Sequence, residues 1–329
     1  MASLIFYKLL AIFLAAVLGW IAGRMRWLGD ERSGADPSRV LSNLAFFLFV
    51  PALLFRTTAR LDFGALPWRT LAGFFVPVVV ALLLVYAWQR WEQRRSAQRD
   101  AAVPAVRALA ASFGNAVQIG VPIAAALYGE AGLGIHVTII SLHALIVLSL
   151  ATALVELDIA HARARHEGGA SLLRTLRSTA RNTVIHPVVL PVLAGMAWNF
   201  TGLPLPAVVD EVLVLLGSAV APVCLVLLGV SLAYSGVHGR VRGAVQLALI
   251  KLLLVPAFAL AFAWWVLGLR GVPLGVVVMA AALPIGSNPL IFAQRYATLE
   301  GEATAAIVVS TLGFVALAPL WLAILEWLH

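Results

Sequence analysis

Apolar residues fill this chain in long runs, and short polar clusters separate the runs at near-regular intervals. Ten runs stand out, at approximately 4–23, 40–58, 68–89, 104–129, 131–156, 183–201, 207–235, 243–267, 272–297 and 303–327. Each run is about as long as a helix needs to cross a hydrocarbon core ~30 Å thick. None alternates with period two, as barrel strands do. Lipid cannot satisfy open backbone groups, so helices are the remaining choice. The pattern predicts an all-α polytopic membrane protein with ten transmembrane helices. The first run, Leu4 to Ala22, is followed by "GRMRW" and by no small-residue cleavage site. It reads as a span and not as a signal peptide.

The longest polar connection, "LDIAHARARHEGGASLLRTLRSTARN" at 157–182, divides the spans five and five. The expected organisation is a first five-helix repeat at 1–157, a cytoplasmic linker at 158–182 and a second repeat at 183–329. Prolines echo between the halves. Pro51 and Pro222 lie 171 residues apart, Pro77 and Pro256 179, and Pro122 and Pro289 167. Tyr128 and Tyr296 follow at 168. An odd number of spans per half makes the second half enter from the opposite face, which is an inverted repeat.

Charge then orients the chain. With the N-terminus outside, 17 Lys and Arg fall in inner loops and five on the outer side. This bias places both termini outside a cell (inner) membrane. It also accounts for the net charge of +8, which would otherwise suggest nucleic acid. The basic loops face anionic lipid, and no nucleic acid partner is expected. The other composition figures fit the same class: 62% of the 329 residues are hydrophobic and 12% charged, with a mean hydropathy of +0.98. The single cysteine, Cys224, excludes an intrachain disulfide.

The fourth span of each half is the least helix-like. The first reads "SFGNAVQIGVPIAAALYG" and the second "AALPIGSNPLIFAQRY". Proline removes a backbone donor and clashes with the preceding turn, and glycine weakens a helix. About one turn should unwind around Pro284, Gly286, Ser287, Asn288 and Pro289. Pro122 and Pro289 suit the first turn of a new half-helix. Irregular backbone at membrane depth must be buried in protein or line a cavity. Matched interruptions in two halves point to a midplane binding site. Unwound carbonyls there can coordinate a cation, and fresh helix starts can hold an anion.

These segments resemble the auxin efflux carrier family of membrane transporters. The first carries the family pattern at Asn115, Gly120, Pro122, Tyr128, Gly129 and Glu130. The second carries it at Leu283, Pro284, Gly286, Pro289, Phe292, Ala293 and Tyr296. The resemblance implies two inverted repeats with crossing broken helices, spans four and nine. It also implies a scaffold of the first two spans of each half and a transport unit of the rest. The implied substrate is a small organic carboxylate such as malonate, malate or an auxin-like acid. This sequence departs from the family at His186-Pro187, where Asn-Pro is usual, and at His143, where an amide is common.

The expected substrate contacts are Asn115, Gln118, Gly120, Pro122, Pro284, Gly286, Ser287, Asn288 and Pro289. His143, His186 and Lys251 are the candidates for moving or balancing charge. Intramembrane ionisable residues default to function. For the histidines the competing account is an interhelical hydrogen bond. For Lys251 it is a structural partner, or a long stem snorkelling to the interface. His136 lies seven residues before His143 on the same helical face and is nearer the outer end. No metal site and no cofactor is expected, and the candidate coupling ions are a proton and sodium. The candidate assembly is a homodimer. No nucleophile–base constellation suggests an enzyme. Besides an alternating-access carrier, two readings stay open: a sodium symporter resembling bile acid carriers, and a membrane receptor that binds without transporting.

Overall fold

The computed structural model describes residues 2–29, 37–60, 66–95, 100–166, 187, 189–235 and 241–328. His186 and most of the expected linker lie outside them. The described residues are mostly helical and contain no strand. The helices are α1 (Ala2–Arg24), α2 (Pro37–Leu44), α3 (Val50–Ala59), α4 (Trp68–Arg94) and α5 (Val103–Ser112). Then come α6 (Val121–His143), α7 (Ser149–His166), α8 (Val189–Phe200), α9 (Ala207–Ser218) and α10 (Val220–Ser235). The last are α11 (Val241–Leu249), α12 (Val255–Ala261), α13 (Gly271–Ala282), α14 (Asn288–Arg295) and α15 (Glu300–Trp327). Among the described residues, six stretches are long and apolar enough to cross a membrane: Pro37–Ala59, Trp68–Arg94, Ile123–Ala162, Ala207–Val230, Val241–Val266 and Glu300–Trp327. Four more, Leu14–Arg24, Val103–Ser112, Val189–Phe200 and Gly271–Ala282, are apolar but shorter. The fifth expected span runs on as helix to His166, ten residues past its sequence boundary.

Proline chemistry explains several local shapes. Wide π-turns occupy Ala45–Phe49, Ala116–Gly120 and Ile250–Leu254. Each is followed by Val-Pro, with the prolines at 51, 122 and 256. A proline ring clashes with the carbonyl four residues back and supplies no donor. The helix widens to relieve the clash, and the valine N–H reaches back five residues, to Ala45 O, Ala116 O and Ile250 O. Pro77 and Pro319 sit inside continuous helices without such a turn. At Gly129, φ is 62° and ψ −154°, a backbone only glycine adopts at little cost, and the chain turns there between the fourth and fifth spans.

The helices pack in two groups. In the first, α1 lies along α10, and α3 lies against α8 and α9. Contact is close because the facing residues are small: a Cβ on Gly229 would lie well inside the Ala16 carbonyl, and one on Gly19 inside Val226 O. Asp210 on α9 ties the ends by accepting from Arg56 at 2.8 Å and Arg60 at 2.8 Å. In the second group α4 packs on α5, α11 on α15, and α13 on α6 and α12. A buried pair fastens this group: Arg107 donates to both oxygens of Glu302, at 2.7 and 2.9 Å, and to Gln89 Oε1 at 2.7 Å. Gly243 leaves room for that carboxylate, which would lie 2.6 Å from a Cβ.

Candidate functional site

The two interrupted segments meet. Helix α5 ends at Ser112, Phe113 is extended, and the chain turns at Asn115 before the π-turn. Helix α13 ends at Ala282, and 283–287 are irregular before α14. Gly114 and Ile285 form an antiparallel bridge. Asn115 N–H donates to Pro284 O at 2.8 Å, and Gly286 N–H donates to Phe113 O at 2.9 Å. Each break thus satisfies backbone groups that the other has exposed, at a depth where water does not do so. Ile285 N–H donates to Ser310 Oγ at 3.0 Å, and that hydroxyl donates on to Ile307 O. Gly286 lacks the Cβ that would crowd Gly114 O to 3.0 Å and Phe113 Cδ1 to 3.1 Å.

The sequence-predicted residues divide by what they do here. Asn115, Ser287 and Asn288 are half-buried around the bridge. Gln118 lies in the π-turn, one turn beyond Asn115. Pro122 and Pro289 occupy the first turns of α6 and α14, as their chemistry suggested. Pro284 serves through its carbonyl and Gly286 through its N–H, so both build the bridge. Gly120 is buried, and its missing side chain is replaced by neighbours: a Cβ would lie within 2.8 Å of His136 and Leu283. It is a packing position and offers no open surface.

His143 is buried and stacks on Phe113, with ring centroids 4.3 Å apart and planes 15° apart. Phe74 meets it edge-on at 5.6 Å. Its Nε2 has no hydrogen-bond partner among the described residues. His136, the weaker candidate by position, makes the direct contact with the first break: its Nε2 pairs with Ala116 O at 2.9 Å. Lys251 does not snorkel. It is 1% exposed, and its ammonium donates to Ala281 O, the second-last residue of α13. A Cβ on Gly114 would lie 3.5 Å from both Cε and Nζ of Lys251. The π-turn Ile250–Leu254 carries this lysine into the crossing of the two breaks.

Three site residues carried no signal. Ser310 is one hydroxyl in an apolar helix. Cys224 entered the sequence reading only as excluding a disulfide, yet its fully buried thiol lies next to Ser287. Phe113 is one apolar residue among many, and nothing in its position along the chain marks it as the partner of His143. Each acts through partners distant in sequence, which spacing cannot reveal.

The profile of the family described as "Membrane transport protein" matches residues 4–322. "Uncharacterized transporter YfdV" of Escherichia coli strain K12 is 27% identical over 316 residues, 95% of each chain. "Auxin efflux carrier component 5" of Arabidopsis thaliana is 22% identical over 348 residues, covering 97% of this chain and 95% of its own. "Putative malonate transporter" of Rhizobium meliloti is 30% identical over 141 residues, 42% of this chain and 43% of its own. With the profile spanning nearly its whole length, this chain belongs to the membrane transport protein family, that of the auxin efflux carriers.

Proposed function

We propose that the chain is a secondary transporter for a small organic carboxylate, a mono- or dicarboxylate, working by alternating access in a cytoplasmic membrane. The observation that carries this reading is the bridge of Gly114 and Ile285, with Asn115, Ser287 and Asn288 half-buried beside it. Irregular backbone at membrane depth persists where it is buried in protein or lines a cavity, and matched breaks in two halves point to a substrate site. The side chains of Asn115, Gln118, Ser287 and Asn288 would hydrogen-bond the carboxylate, and the start of α14 would favour its charge. The printed names of two relatives, one for auxin and one for malonate, fit this substrate class.

Packing supports ten spans in two inverted five-helix repeats. The first span (α1) lies along the seventh (α10), and the second (α3) lies against the sixth (α8). These pairings are each other's image if spans one to five exchange with six to ten. The first helix group would be the scaffold and the second the moving unit. Both termini would lie outside, and 158–182 would connect the repeats inside.

The test is uptake by proteoliposomes of labelled malonate, malate and indole-3-acetate under imposed proton and sodium gradients. At least one should accumulate saturably, and Asn115→Ala or Asn288→Ala should abolish its uptake in folded protein. Normal uptake by both variants would sink the site assignment. Tight binding without accumulation would make the chain a receptor.

A further inference from the structure

The bridge leaves one charged group at its centre. Helix α5 runs toward the crossing from one side and α13 from the other, and both end there. A helix ends in carbonyls without intrahelical partners and carries about half a negative charge at that end. Two such ends converge where the bridge forms. Lys251 lies near both, donating to Ala281 O of α13, with its Cε and Nζ 3.5 Å from where a Cβ on Gly114, two residues beyond α5, would be. No described carboxylate pairs with it, and it is 1% exposed. Among transporters built from broken helices, unwound carbonyls and half-helix C-termini are where a coupling cation binds.

We infer that Lys251 is a tethered counter-cation: its ammonium holds the position at the two converging helix ends that a mobile coupling cation would otherwise take. The lysine then supplies the positive charge that an organic anion meets at the crossing, and carboxylate movement needs no sodium. This rests on the proposed transport reading for its purpose, but not for its test. An ammonium on a stem cannot leave, so the charge stays with the moving unit throughout the cycle. A Cβ at 114 would rest in ordinary contact with the lysine, so the ammonium lies within a side chain's reach of the first break.

Lys251→Ala removes both charge and stem, and opens a polar space at two helix ends. Lys251→Met removes the charge and fills most of the space. Both proteins are expressed and purified with methylammonium present throughout, then exchanged into choline, sodium or methylammonium before melting is followed. The expected result is that both variants melt below the parent in choline. Methylammonium should raise the melting temperature of Lys251→Ala and leave Lys251→Met and the parent unmoved. Uptake by Lys251→Ala should fall roughly tenfold to thirtyfold in choline, as for a cation lost from a partly buried helix end, and recover with methylammonium. Parental uptake should be the same in sodium and in choline.

Parental melting by Lys251→Met would overturn the inference, because charge would then be dispensable. So would a Lys251→Ala protein that methylammonium does not stabilise, or one that cannot be recovered even with it present. If the parent accumulates no carboxylate, the transport reading fails, while the melting result still decides the role of Lys251.

Discussion

A Cβ on Gly120 would lie 2.3 Å from His136 Nε2, so alanine at 120 must displace an imidazole that is itself bonded to Ala116 O. Overpacking of this kind costs about 1–3 kcal/mol. Gly120→Ala should therefore lower the melting temperature of the purified protein, and adding His136→Ala should recover part of that loss. Strict additivity of the two substitutions would show that they do not share the space. The pair also marks a limit of reading the sequence. Gly120 was legible as a helix-weakening residue, but its occupant comes from 16 residues further on, round the turn at Gly129. Arg107 was read only as one more inner-side charge. It is 12% exposed, with Glu302, 195 residues away, on one side and Gln89 on the other. Arg107→Ala would leave a buried carboxylate unpaired, at a cost of about 3–5 kcal/mol. Glu302→Gln in the same chain should return much of that stability, measured by thermal melting.

Among the elements, the two breaks were the most legible feature, because proline and glycine act on the backbone at their own positions. The same local logic places the π-turns before Pro51, Pro122 and Pro256. It stops short of pairing. Of the proline matches between the halves, Pro122 and Pro289 both open a half-helix, and Pro51 and Pro222 both lie in the first turn of a helix, α3 and α10. Pro256 follows a π-turn, while its counterpart Pro77 lies within an unbroken α4. Helix pairing rests instead on small residues whose partners lie far along the chain. Gly19 and Gly23 on α1 face α10, and Gly229 on α10 faces Ala16 and Trp20. In lipid no hydrophobic force drives helices together, so close backbone approach matters more. Gly229→Leu should push α1 off α10. The expected sign is a lower melting temperature with new protease cleavage confined to α1; unchanged melting and digestion would mean that α1 is held elsewhere.

At the scale of the whole molecule, motion of one helix group against the other must break contacts between them. One set joins α2 and its π-turn to the end of α14 and the start of α15. Arg295 lies 5.1 Å from the Phe47 ring, Phe292 meets Phe46 edge-on, and Arg39 reaches Glu300 at 4.0 Å. A second joins α10 to the second break, where the Cys224 thiol lies next to Ser287. That thiol is fully buried at rest, and it is the chain's single cysteine, so it reports on one contact alone. Alternating access requires the moving unit to carry Ser287 away from α10, which would bare Cys224 to water and to substrate. A permeant maleimide should therefore label resting protein slowly. Labelling should quicken while a transported carboxylate flows down its gradient, and an untransported acid should have no effect. The Cys224→Ser chain sets the background. Equal labelling with and without flux would mean that α10 and the second break move as one body, and the boundary between scaffold and moving unit would have to be drawn elsewhere.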